Sequence, residues 1–116
     1  MSVLDPAAIE NLREMVGGDV EFMIELIDVF LDDAPRMLSD MRRALESEDA
    51  AVLHRAAHSL KSNSAEFGAM TLSDLCREIE ALSKADTVDG TDELVGRAEV
   101  EYAQVKTALE ELRREL

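Results

Sequence analysis

The sequence has no tryptophan, one cysteine, two prolines and five glycines in 116 residues. A single cysteine excludes an intramolecular disulfide, and a reducing compartment is the simple inference. The prolines and glycines fall mostly at apparent breaks. No stretch alternates apolar and polar residues as a half-buried strand would. Basic residues are also scarce, with 12 Lys and Arg against 26 Asp and Glu and a net charge of −14. That balance disfavours nucleic acid and anionic membranes as partners, and it predicts a soluble monomer. No apolar run reaches membrane-spanning length. The start, Met1-Ser2-Val3-Leu4-Asp5, lacks the basic-then-apolar pattern of a signal peptide. A cytoplasmic location is expected, and the initial Met favours a free-standing chain. No Gly-rich phosphate loop and no kinase-type nucleotide motif is present, so phosphorylation from ATP by this chain is not expected.

What is there is helical. Apolar residues make up 47% of the chain, enough for one core, and the length suits a single domain over 1–116. Asp5-Pro6 reads as an N-cap followed by Pro at the first helical position. A short helix then runs through Val16, with Ile9, Leu12 and Val16 on one side, and Gly17-Gly18 ends it. Asp19 caps a second helix whose inward stripe is Val20, Met23, Ile24, Ile27, Phe30 and Leu31. Phe22, Leu26 and Val29 form a second apolar stripe on it. Either the first helix covers that stripe or part of it is a docking surface. Pro35 cannot donate to the carbonyl of Leu31 and should kink or break the helix. The pattern resumes at Leu38, Met41 and Leu45, which favours one long, kinked helix to about Ser47.

Asp49 caps a central helix running to about Phe67, with Gly68 as its stop. A fourth helix spans Thr71 to about Lys84, with Leu72, Leu75, Cys76, Ile79 and Leu82 inward. The last begins near Thr91, and Leu94, Ala98, Val105, Leu109, Leu112 and Leu116 line its core face. Tyr102 is expected to pack at that helix's core edge. Four long amphipathic helices with short links predict an all-α, antiparallel up-down-up-down four-helix bundle with a short N-terminal capping helix.

The chain is organised around Ala57 to Gly68. At about 100° per residue, Leu53, Ala56, Ala57, Leu60, Ser64 and Phe67 share one apolar arc. His58 lies roughly 150° from its centre and so faces solvent. Its neighbours on that face are Lys61, Ser62 and Ala65 at i+3, i+4 and i+7. Ser62 and Ala65 are small, and Lys61 offers an ammonium. A neutral imidazole is a good nucleophile near neutral pH. A phosphoryl group on it would carry about two negative charges, which Lys61 could offset and the Ser62 hydroxyl could hydrogen-bond. Ser64 points to the core and is expected to bond back to its own helix. His54 lies one turn before His58. An i,i+4 His pair can bind zinc, but no third and fourth ligands are evident, so no metal site is assigned. Cys76 and the six methionines read as core packing.

These residues resemble a family. Ala57, His58, Leu60, Lys61, Gly68 and Ala69 match the pattern Ala-His-x-Leu-Lys-Gly, five residues, Gly-Ala of histidine-containing phosphotransfer (HPt) domains. The resemblance takes in Leu4-Asp5-Pro6, Val16 to Asp19, Phe30 to Pro35 and Asp49 upstream, and Leu72, Leu75-Cys76 and Ile79-Glu80 downstream. It covers roughly residues 4 to 85. Ser62 stands where the family usually has Gly. The resemblance implies a phosphorelay protein in which His58 accepts a phosphoryl group from a receiver-domain aspartate and passes it to another. Lys61 and Ser62 would support the phosphoryl group, and His54, Arg55 and Ala65 would form the docking rim. The implied partners are response-regulator receiver domains and a (hybrid) histidine kinase. The chain would be a carrier without a cofactor or turnover of its own, with Mg²⁺ in the partner receiver. The alternative is an adaptor that binds a receiver or kinase through the same face without being phosphorylated.

Overall fold

The structure is a computed structural model that describes residues 3–116. Met1 and Ser2, part of the reading of the chain's start, lie outside the described residues. Five helices and no strand are present among the described residues: α1 (Pro6–Met15), α2 (Val20–Ser47), α3 (Ala50–Glu66), α4 (Met70–Ser83) and α5 (Asp92–Glu115). Three of the helices begin as the sequence dictates. The carboxylates of Asp5, Asp19 and Asp49 accept from the main-chain N–H groups of Ala7, Phe22 and Val52, at 3.0, 3.1 and 3.1 Å. Each thereby satisfies a donor that the first helical turn leaves unpaired.

The long helices pack in a ring, α2 on α3, α3 on α4, α4 on α5 and α5 back on α2, while α1 rests on α3. This is the antiparallel four-helix bundle with an added N-terminal helix. Met23, Ile27, Leu53, Leu60, Leu72, Ile79, Val95 and Leu109 are fully enclosed in its core. Phe30 sits between Phe67 and Tyr102, with ring centroids 5.2 and 6.2 Å away.

α2 continues through Pro35. Proline leaves the carbonyl of Leu31 without its helical donor. That carbonyl accepts instead from the Tyr102 hydroxyl of α5, at 3.4 Å. Burial, and then the charge of Glu110, push the Tyr102 hydroxyl above its ordinary pKa, which keeps it a donor.

Three side chains differ from expectation. Val20, expected on the inward stripe of α2, is 44% exposed in the first turn of that helix. Leu82 is 42% exposed, and Ser83 takes the inward position. On the wheel Ser83 lies about 20° from Leu72 and Leu82 about 80°. The Ser83 hydroxyl is satisfied by donating to the carbonyls of Ile79 and Glu80. Ser64 is fully buried, but its hydroxyl makes no hydrogen bond, so the expected bond to its own helix is not formed.

Gly68 fixes how α1 meets α3. Its φ of +71° is a left-handed conformation that favours glycine. Its carbonyl accepts from the Asp5 N–H at 2.9 Å. A Cβ at Gly68 would sit 2.6 Å from Asp5 N and 2.9 Å from the Ala8 Cβ. Gly68→Ala is therefore expected to lower the unfolding free energy by about 2 kcal/mol or more. Urea denaturation measures it, and an unchanged midpoint would refute this account of the α1 attachment.

Candidate functional site

α3 buries Leu53, Ala56, Ala57, Leu60 and Ser64. Alanines at 56 and 57 leave little bulk on that face, and α3 and α4 make the most extensive helix contact in the molecule. The opposite face carries His58, whose side chain is 60% exposed. The imidazole is where the helical wheel puts it.

α4 supplies a residue that the helical wheel did not single out as part of the site. Glu80 projects from α4 toward α3, and its side chain is only 15% exposed. One carboxylate oxygen, Oε1, accepts from Lys61 Nζ at 2.6 Å. The other, Oε2, is hydrogen-bonded to His58 Nδ1. The ring of His54 lies on the same residue: its Nδ1 is 3.2 Å from the Glu80 carbonyl oxygen, and its Nε2 is 4.0 Å from Oε2. Glu80 thus gathers three side chains of α3.

The hydrogen-bond pattern assigns the tautomers. A carbonyl oxygen and an ionised carboxylate only accept. The Lys61 ammonium first, and the His58 ring after it, hold the Glu80 carboxyl below the usual carboxylate range against the opposing effect of burial. Glu80 is therefore ionised at neutral pH, and the proton of a neutral His58 resides on Nδ1. Nε2 is left with its lone pair on an exposed ring. That is the arrangement of a nucleophile with an orienting partner.

The other sequence-predicted residues divide into three groups. Lys61 is beside His58 as expected, but it is engaged by Glu80 and is not a free ammonium. Ser62 is exposed one turn beyond His58, and no hydrogen bond involves its hydroxyl among the described residues. The proposed rim is split. His54 and Arg55 line a shallow depression with Lys84 and Asp86, whereas Ala65 borders a different groove under α1 and α2. His54 and Ala65 are separated by about 16 Å along the helix, with His58 between them.

No group of three or more His, Cys, Asp or Glu side chains is placed to hold a metal ion among the described residues. Burial first, and the charge of Glu80 second, push the Cys76 thiol up to about 12, which makes it inert as a nucleophile. No helix among the described residues is long and apolar enough to cross a membrane.

Glu80 left two traces in the sequence, its place in the Ile79-Glu80 stretch of the family resemblance and its position on α4. It follows Cys76 by four residues and Ile79 by one, on the margin of the buried row of α4. What helical periodicity cannot supply is the partner helix that an acid at such a margin faces. The structure gives a pH signature for it. The carboxyl of Glu80 is depressed in the folded state, so its stabilising contribution is present above its ordinary value of 4.5 and is lost as pH falls through the lower folded value. The stability difference between wild type and Glu80→Gln should therefore be largest above pH 4.5 and shrink toward pH 3. Denaturant titrations across that range check it, and a pH-independent difference would contradict it.

The Hpt domain family model matches residues 25–115. Histidine-containing phosphotransfer protein 2 of Arabidopsis thaliana is 26% identical over 112 residues, covering 94% of this chain and 72% of that protein. The phosphorelay protein LuxU of Vibrio vulnificus is 31% identical over 96 residues, covering 82% of each. The crystal structure of histidine-containing phosphotransfer protein B from Pseudomonas aeruginosa PAO1 superposes with a TM-score of 0.88, at 27% identity and over 97% of this chain and 96% of that one. With a family model spanning most of its length and a fold and exposed histidine in agreement with it, the chain belongs to the Hpt, or histidine-containing phosphotransfer, domain family.

Proposed function

We propose that this protein is a phosphorelay carrier and that His58 Nε2 is its phosphoryl acceptor. The observation that carries the reading is the half-tethered ring: Nδ1 is held by Glu80, and the side chain is 60% exposed. Nε2 attacks the phosphorus of a receiver's aspartyl phosphate. The Nε2–P bond forms as the P–O bond to the aspartate breaks, and the carboxylate leaves. The proton on Nδ1 stays where it is. Transfer onward runs the same steps in reverse onto a second receiver's aspartate.

The catalysis is mainly positioning and charge neutralisation. Lys61 has three N–H donors, and one of them serves Glu80, so its charge can also stabilise phosphoryl oxygens. Ser62 offers a hydroxyl one turn away. The receiver supplies the Mg²⁺. A histidine kinase or hybrid kinase would feed the relay through its receiver, and this chain would act as the carried substrate of both exchanges.

The docking surface in this reading is an apolar groove that begins at Ala65, two turns along α3 from His58. α1 leaves the second stripe of α2 largely uncovered, with Phe22 48% and Val29 57% exposed. Met15, Phe22, Leu26 and Ala65 border a groove of about 500 Å³ there. Exposed apolar side chains on the same end of the molecule as Ala65, two turns from the exposed His58, suit a visiting protein surface.

Two experiments test the reading. A radiolabelled phospho-receiver should transfer acid-labile, base-stable label to the wild type and to His54→Gln, and none to His58→Gln. Binding without transfer would favour an adaptor instead. Separately, Phe22→Glu should slow transfer from the receiver at least about tenfold by weakening the apolar contact. It should leave labelling by phosphoramidate, which needs no docking, unchanged. Equal loss with both donors would mean that the groove is not the docking surface.

A further inference from the structure

Two carboxylates at the edge of the apolar groove have no cation of their own. Asp33 of α2 and Glu66 of α3 line a hollow of about 170 Å³, with Asn63 beside them and Leu26, Val29 and Phe67 as its apolar walls. The hollow continues the groove described above, because Leu26 and Glu66 border both. Neither Asp33 nor Glu66 makes a hydrogen bond or an ion pair among the described residues. Their neighbours in sequence behave otherwise: Asp28, Asp32 and Asp40 of α2 each pair with an arginine. The remaining cations of α1, α2 and α3 are placed elsewhere. Arg42 is held by Glu99 and Lys61 by Glu80, while Arg13 and Arg55 border other depressions. No lysine or arginine lines the groove or the hollow.

A docked protein turns this into an energetic problem. Glu66 lies eight residues past His58, about 12 Å along α3. A typical partner covers about 800 Å², a patch on the order of 30 Å across. A protein seated over both the groove and His58 therefore covers the hollow and strips water from its carboxylates. A charge that loses water without gaining a partner weakens the complex. A visitor that brings a cation removes that cost. Arginine suits the hollow best. Its planar fork serves two carboxylates, its guanidinium is weakly hydrated, and its stem packs along apolar walls. The amide oxygen of Asn63 is a further acceptor for it.

We propose that the groove is shaped for a receiver whose apolar docking face carries a cationic side chain, and that Asp33 and Glu66 select for that side chain. The pair thereby discriminates among receivers that all offer the same aspartyl phosphate. The inference rests on the reading of the groove as the docking surface.

The test measures the second-order rate of transfer from a radiolabelled phospho-receiver that labels the wild type. Asp33→Asn combined with Glu66→Gln should lower that rate at least about fivefold at about 0.05 M salt, through loss of steering and pairing. At about 1 M salt, where the screening length is about 3 Å, the deficit should narrow to about twofold or less. Glu46→Gln combined with Glu93→Gln removes the same charge from the last turn of α2 and the first turn of α5. That control should stay within about twofold of wild type at both salts. Phosphoramidate, which needs no docking, should label both double variants at the wild-type rate and so report that they are folded. Equal rates for the two double variants, a deficit that salt does not narrow, or faster transfer without the two acids overturns this inference and leaves the groove as the docking surface. Transfer by Phe22→Glu as fast as by wild type, or no labelling of wild type by any receiver, overturns the docking reading and this inference with it.

Discussion

A carboxylate from one helix, shared between an ammonium and an imidazole of the next, sets the chemistry of this face. Glu80 neutralises Lys61 and orients His58 with its two oxygens. Between fully exposed partners such pairs contribute about 0 to 1 kcal/mol, but here the carboxylate is only 15% exposed. Their effect is on geometry and proton placement. The carboxylate is mostly buried while the ring it holds is mostly exposed, so the fixed partner lies below and the reactive nitrogen faces outward. Fixing one nitrogen of an imidazole decides the state of the other.

That contact depends on how closely α3 and α4 approach. Ala56 and Ala57 present single methyl groups toward the interior, and both are buried. Leu60, Leu72 and Ile79 fill the space behind them without exposure. The Ser73 hydroxyl of α4 donates to the Lys61 carbonyl of α3 at 3.0 Å, pinning the two helices at the level of the site. Side chains mounted on two interlocked helices keep their relative positions better than side chains on a loop. α1 is fastened separately, through Gly68 and Asp5, so it can leave the apolar stripe of α2 open without loosening the histidine helix.

Much of this was legible in the residues. The caps at Asp5, Asp19 and Asp49, the breaks at Gly17-Gly18 and Gly68, and the outward bearing of His58 follow from helical period and local hydrogen bonding. So does the four-helix architecture. What was not legible is what depends on two helices at once. The role of Tyr102 in satisfying the carbonyl freed by Pro35 joins residues 71 apart. Glu80 meets His58 across 22 residues and Lys61 across 19. A wheel drawn for one helix shows an acid at the edge of a stripe and not what stands opposite. The pairing of Lys61 with Glu80 was hidden for the same reason. Leu82 failed differently: hydrophobicity was weighted above the wheel, and the wheel prevailed.

The pairing of Lys61 with Glu80 also bears on what a carrier needs. A cluster of free cations around His58 would bind a phosphoryl group strongly in the resting state, and binding that stabilises the ground state as much as the transition state gains no rate. A carrier that must take up its load and give it up again is better served by a shallow well. Lys61 and Glu80 cancel each other's charge beside His58, inside a chain whose net charge is −14. The general acidic field acts over about 8 Å at physiological salt and discourages stray anions. In the proposed role of His58, that pairing would let one anionic group, delivered by a docked protein, come and go.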